Sequence, residues 1–212
     1  MATSVTFLLI AATCLATFLA LKRPRMLSRW MFSPHRIAER GEWDRFLLSG
    51  FIHKDGMHLL FNMFTFFFFG GIVERFFLFR FGTLWGPLAF LGFYLAALVL
   101  SSLKTYAKHR SNPNYHALGA SGATAAVVFA SILLMPLDKI CLFGLLCLPG
   151  FALGAAFLGY TMYKARQEDD YVNHDAHLYG ALTGLLVISL LAPYTLPGFF
   201  VQISRFLGDF FG

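Results

Sequence analysis

The sequence predicts an all-α membrane protein, a six-transmembrane-helix bundle. Three observations carry that prediction. Only 13% of the residues are charged while 58% are hydrophobic, where a soluble domain carries about 25% charged residues. The uncharged runs reach the length of about 20 apolar residues needed to cross a bilayer. The strongly polar residues inside those runs are few and fall near the beginnings of particular runs. The net charge of +6 is concentrated in loops, so it reads as topology and lipid contact rather than nucleic-acid binding.

The spans follow in order, all within one domain over residues 1–212. Span 1 covers about 3–21 and ends in Lys22-Arg23-Pro24-Arg25; no positive residue precedes its apolar run, which sets it apart from a signal peptide. Residues 22–55 mix both charge signs with Trp30, Trp43, Phe32 and Phe46, as expected of a structured loop lying at the headgroups. Span 2 covers about 57–73, with a short turn around Glu74, Arg75 and Arg80, and span 3 covers about 82–103. A basic loop leads to span 4 at about 119–135. Pro149-Gly150 then divides an uncharged run into an interfacial segment and span 5 at about 149–164, since proline suits a first helical turn and not an interior. An acidic loop, Arg166 to Asp175, precedes span 6 at about 176–191, and the phenylalanine-rich tail is either its frayed end or a surface segment. Cys14, Cys141 and Cys147 sit in apolar surroundings without metal-ligand spacing, so neither a disulfide framework nor a zinc site is expected.

Polar groups inside spans are costly and mark function by default. His58 and Asn62 lie four apart, on one face of span 2, and His177 shares a face with Gly180 and Gly184. In Gly119-Ala120-Ser121-Gly122 the flanking glycines strip side chains from around a hydroxyl at a helix start, where unpaired amide hydrogens favour negative charge. Taken singly, each is better read as helix packing or a bridging polar residue. Alternating span direction changes this, because spans 2, 4 and 6 then begin on one membrane face. His58, Ser121 and His177 each lie near such a beginning, with Asn62 one turn deeper. A serine and a histidine meeting there suit a nucleophile and general base, with oxyanion donors beside them.

Over about residues 30–192 the chain resembles the rhomboid-family intramembrane serine proteases. The residues that carry the resemblance are His53-x4-His58-x3-Asn62 with Gly70-Gly71-x2-Glu74, then Gly119-Ala120-Ser121-Gly122, then Ala176-His177-x2-Gly180-x3-Gly184. Trp43-x-Arg45 resembles a first-loop feature, with Asp44 interposed. The resemblance implies Ser121 as nucleophile and His177 as base, and an oxyanion hole from His58, Asn62 and the Ser121 amide. His53, Gly119, Gly122, Glu74 and Gly180 would support them. It implies single-span transmembrane protein substrates within membrane lipid, no nucleic acid, and neither metal nor cofactor. Many relatives carry an aromatic residue four after the serine, where this chain has Ala125, so another residue must orient His177; Tyr160, Tyr163 and Tyr179 are the candidates. Asp175 is expected as an N-cap rather than a catalytic member, and His35, His109, His116 and His174 as solvated loop residues.

Two readings compete with the protease: an inactive rhomboid-like binder of transmembrane clients, which would lack the serine or histidine kept here, and a small transporter with His58 and His177 on a proton path, which would carry internal repeats. Orientation divides the arguments. The loops after spans 1, 3 and 5 hold thirteen of the 17 lysines and arginines, leaving Arg75, Arg80, Lys139 and Arg205 for the other face. The positive-inside rule sets the first face in the cytoplasm. The resemblance implies a cell (inner) membrane protein with a cytoplasmic N-terminus and the site facing outside, and that orientation is the one expected.

Overall fold

The computed structural model describes residues 4–142, 144–167 and 172–211. Residue 3 of expected span 1, Phe143 of the expected interfacial segment, and Glu168 to Tyr171 of the expected acidic loop lie outside the described residues. Helices dominate: α1 Val5–Lys22, α2 Pro24–Trp30, α3 Pro34–Arg40, α4 Arg45–Leu48, α5 Gly56–His109, α6 Ser121–Leu134, α7 Gly150–Lys164, α8 His174–Leu191 and α9 Thr195–Phe211. Among the described residues, α1, α5 and α8 are long and apolar enough to cross a membrane, and α6 is a shorter apolar helix.

The six expected spans map onto fewer hydrogen-bonded runs for a local reason. Expected spans 2 and 3 are joined in α5, broken only at Gly82 with φ 76° and ψ 177°. That positive φ is open to glycine and strained for other residues. It reverses the chain, so the expected turn at Glu74 to Arg80 is helical instead. Phe66 packs on Phe90 and Tyr94, and Phe77 on Phe90 and Phe93. Gly86 lets the returning arm approach, since a Cβ there would stand 2.7 Å from the Leu78 Cα. At the other end, α6 and α7 have 14 and 15 residues, below the usual spanning length.

Helix α6 is the hub, nearly all buried, packed chiefly on α8 and α5. Its small residues meet small residues of α8: a Cβ on Gly184 would stand 2.0 Å from the Ala126 carbonyl oxygen. The pairs Gly122–Gly180 and Ala126–Gly184 advance together, so α6 and α8 run parallel and both begin at one end of the bundle. Glycines on a four-residue spacing allow such backbone contact. Outside this centre, Phe7, Phe64, Phe67, Phe68 and Phe79 are exposed, as residues facing lipid are.

Helix α1 is sewn to α5. Glu74 accepts from Ser4 Oγ at 2.6 Å, the Val5 amide at 2.7 Å, and the Thr6 amide and Oγ1 at 3.1 and 2.7 Å. A carboxylate on the unpaired amides of a helix N-terminus is favourable. Gly70 makes room, because a Cβ there would lie 2.7 Å from the Thr6 methyl.

The interfacial segment before α7 is a two-stranded hairpin, β1 Lys139–Leu142 against β2 Leu146–Pro149. Its register sets Cys141 opposite Cys147, and they form a disulfide. This corrects the expectation of no disulfide: an apolar run without disulfide-rich spacing gave no sign that the strands would pair at these two positions. Cys14 stays free. The tail is helical too, with Phe206 of α9 packed edge-on against Phe151 of α7.

Candidate active site

Ser121 is the first residue of α6, entered through Ala120 and a left-handed Gly119 at φ 116°. No side chain caps this start, so the leading amide hydrogens, lacking intrahelical acceptors, face the site. Four bonds hold the segment that leads in. Phe32 and Ala117 exchange backbone bonds at 2.8 and 3.0 Å, and the Gly119 amide donates to Ser49 O at 2.9 Å. The Ala120 amide donates to His53 Nε2 at 3.3 Å. The 22–55 loop thus serves as a frame for the serine.

That frame is rigid for definable reasons. Arg45 is fully buried, donating to Glu42 and to the carbonyls of Ser28 and Met31 at the end of α2. Burial pushes the Glu42 carboxyl up, yet Arg45, Arg36 and Arg29 together hold it below the usual carboxylate range. Phe46 packs on Phe32, Trp43 and Tyr106. Asp55 caps α5 by accepting from the His58 amide at 2.7 Å, which lowers its pKa, and so fixes where His58 falls.

His53 is buried and connects three elements. Because Nε2 accepts from Ala120, the ring proton sits on Nδ1, which donates to Thr17 Oγ1 of α1 at 3.1 Å; Thr17 in turn donates to Phe51 O at 3.2 Å. Burial, with the neighbouring His58 adding to it, drives the His53 pKa down to about 3. The ring is a neutral strut rather than a charge.

His58 lies edge-on to His53 at 4.9 Å. Its ring fills the space that a side chain at Gly119 would claim, with Cε1 2.7 Å and Nε2 3.0 Å from a Cβ built there. His58 Nδ1 is buried without a hydrogen-bond partner, and such groups call for an explanation. Asn62, buried one turn below, donates Nδ2 to His58 O at 3.0 Å, so here it engages its own helix.

His177 comes to the serine through the α6–α8 contact. A Cβ on Gly122 would lie 3.3 Å from the Ala176 carbonyl, and one on Gly180 would lie 2.1 Å from the Gly122 carbonyl. Ser121 and His177 therefore occupy facing turns at the same end of the bundle. A small cavity beside them is lined by Ser49, Ser101, Ser121, Gly122, Asn173 and Ala176.

Several details differ from expectation. Helix α8 starts two residues early, so its N-cap is Asn173, whose Oδ1 accepts from the Ala176 amide and from Thr105 Oγ1. Asp175 instead pairs with Lys108 at 3.5 Å. His174 is buried, not solvated, and its ring meets Tyr160 at 5.6 Å and His177 at 6.0 Å. The aromatic ring on His177 that sequence reasoning missed is Phe157 of α7, at 6.0 Å and tilted 35°. Phe157 also packs on Phe129, eight residues after the serine. An aromatic one turn beyond Ala125 was the available signal. Glu74 stands apart from all of these, at the N-terminus of α1.

The site thus stands in a helical membrane bundle, with Ser121 at the start of α6 and histidines on two neighbouring helices. The family model for the Rhomboid domain matches residues 40–194, and the chain belongs to the rhomboid family. It is similar to the RHOMBOID-like protein 12, mitochondrial, of Arabidopsis thaliana, with 27% identity over 171 residues, 74% of this chain and 48% of that protein. The chain thus spans about half the length of that relative.

Proposed function

We propose that this chain is an intramembrane serine endopeptidase acting on single-span transmembrane proteins through a Ser121–His177 dyad. The observation that carries the reading is the α6–α8 contact at Gly122, Ala176 and Gly180, with His58 packed on Gly119 at the same bundle end. Counting the two arms of α5 separately, α1, α5, α6, α7 and α8 make the six spans of a single rhomboid-type domain. At about 1.5 Å per residue, the 14 residues of α6 span about 21 Å, less than the hydrocarbon core of about 30 Å. Ser121 then works below the membrane surface.

The chemistry follows from the groups present. Ser121 Oγ attacks the scissile carbonyl carbon as the His177 imidazole takes its proton. The resulting oxyanion meets the Ser121 amide, the His58 ring and a reoriented Asn62 amide. Collapse breaks the C–N bond, and the imidazolium protonates the leaving amine. Water, deprotonated by His177, then cleaves the acyl ester and restores the serine. A helical substrate shields its carbonyls in its own hydrogen bonds, so segments with helix-weakening residues are preferred.

Labelling with a fluorophosphonate serine probe tests the reading, wild type against Ser121→Ala, alongside cleavage of a model transmembrane substrate. Loss of both signals is expected with Ser121→Ala, and loss of cleavage with His177→Ala. Undiminished cleavage by the Ser121→Ala protein would end the protease reading. A wild-type chain that retains substrates without cutting them would favour the inactive client binder.

A further inference from the structure

Among the described residues the β1–β2 hairpin is a sheet of two strands, and an isolated pair of strands is marginally stable at best in water. The bundle shelters little of it: Cys141 and residues 144–147 are exposed. What closes it is covalent. Cys141 and Cys147 stand opposite each other in the register and are bonded. Such a cross-link removes freedom from the open chain and so favours the paired form. Because both cysteines are exposed, a small thiol or disulfide can reach them.

The base of the hairpin holds α7. Directly after β2, the Gly150 amide donates to Asp138 O and the Phe151 amide to Pro136 O, both at 2.9 Å. Gly150 also seats closely, since a Cβ there would lie 3.4 Å from Ile132 Cγ1 and 3.5 Å from Ile140 Cδ1. Beyond this start α7 is lightly held. Of its 15 residues Gly150, Gly154 and Thr161 are buried, and it packs on α6 and α8 less than they pack on each other. Two turns along, Phe157 lies against Phe129 and His177. At about 1.5 Å per residue it is about 10 Å from Gly150, so a shift at the start of α7 reaches the ring beside His177.

We propose that Cys141 and Cys147 form a reversible redox-modification site that sets the rate of the Ser121–His177 site through α7; this rests on the protease reading. Closed, the hairpin fixes the start of α7 and keeps Phe157 on His177. A glutathione-type thiolate opens it by attacking one sulfur, which breaks the S–S bond and leaves a mixed disulfide. A second thiolate displaces the remaining cysteine. Two electrons and two protons pass to the cysteines, and the reductant leaves as its own disulfide. The reverse sequence closes the pair. Open, the strands fray, α7 loosens at its start and Phe157 leaves His177. Disulfides persist in oxidising compartments and are opened in reducing ones, so the rate follows the thiol poise that the hairpin meets.

The test uses the purified full chain with Cys14→Ser in detergent, equilibrated in glutathione buffers from reducing to oxidising. A polyethylene-glycol maleimide counts thiols, and cleavage of a model transmembrane substrate gives the rate. The oxidised protein should take no maleimide; the reduced one should take two, with kcat lower by about three- to tenfold and KM little changed. A Cys14→Ser, Cys141→Ser, Cys147→Ser chain should stay at the lower rate in every buffer, and adding Phe157→Leu to Cys14→Ser should abolish the response. Hydrogen exchange over residues 150–164 reads the coupling without catalysis and should quicken on reduction. Equal kcat in the two states, a response that survives in the triple-serine chain, or unchanged exchange would each overturn the proposal. If neither state cleaves substrate or takes the serine probe, the protease reading fails, and exchange still decides whether the hairpin governs α7.

Discussion

Gly122 and Gly180 meet backbone to backbone, with no room for a methyl group: a Cβ on Gly180 would stand 2.1 Å from the Gly122 carbonyl oxygen. Backbone cannot step aside as a side chain can, so Gly180→Ala must push α8 from α6 and carry His177 away from Ser121. Overpacking of this kind costs about 1–3 kcal/mol. We expect Gly180→Ala to lower thermal stability in detergent by that amount and to lose most cleavage activity. Gly122→Ala meets chiefly the Ser101 side chain, whose Oγ would be 2.3 Å away. Pairing it with Ser101→Gly should therefore recover stability, whereas no side-chain truncation should rescue Gly180→Ala. Unfolding curves of the three proteins decide the matter.

His53 gives the fold a pH dependence of known sign. Unfolded, a histidine takes its proton near pH 6.5; folded, His53 resists protonation down to about pH 3. Between those values the unfolded chain binds more protons, so the stability from this group is complete above pH 6.5 and is lost as pH falls. One proton corresponds to at most about 1.36 kcal/mol per pH unit. His53→Gln should flatten the decline in detergent stability between pH 6.5 and 4 relative to wild type. Parallel profiles for the two proteins would assign the proton to another group.

Much of this architecture was legible in residues, and its gaps have physical causes. His58, Ser121 and His177 could be brought to one end by span parity alone, because helix starts alternate between faces. The hairpin around Cys141 could not, since an uninterrupted apolar run has no period that separates a strand pair from an interfacial coil. The start of span 3 at Gly82 was legible, but not that Glu74 to Arg80 stays helical and that one positive-φ glycine alone reverses α5. Phe157 reaches His177 from a different helix, a contact that spacing along one helix does not report. Spacing puts Asn62 on the His58 face, while its hydrogen bond to His58 O is a rotamer choice outside the reach of periodicity.

Glu74 tests whether α1 stabilises the fold without acting in the site. Its carboxylate accepts four hydrogen bonds from Ser4, Val5 and Thr6. Bonds to a charged acceptor contribute about 1.5–3 kcal/mol each before non-additivity. Glu74→Gln keeps the shape but turns one acceptor into a donor facing donors, and we expect a loss of about 3 kcal/mol on that scale. Serine-probe labelling per folded molecule should stay at the wild-type level. A drop in labelling with unchanged stability would instead tie Glu74 to the site.

Phe157 supplies the ring beside His177 that Ala125 does not, from a different helix, α7. A neutral imidazole must hold one nitrogen toward Ser121 to act as base, and a ring lying 6.0 Å away at 35° restricts its rotation. Phe157→Leu retains apolar volume and removes the planar surface, so folding should be little changed. Turnover should fall about tenfold, the equivalent of about 1.4 kcal/mol, through kcat rather than KM, because substrate binding is not involved. Adding Ala125→Tyr restores an aromatic one turn from Ser121 and should recover part of the rate. Equal kcat for wild type and Phe157→Leu would mean that His177 takes its orientation from other neighbours, His174 among them.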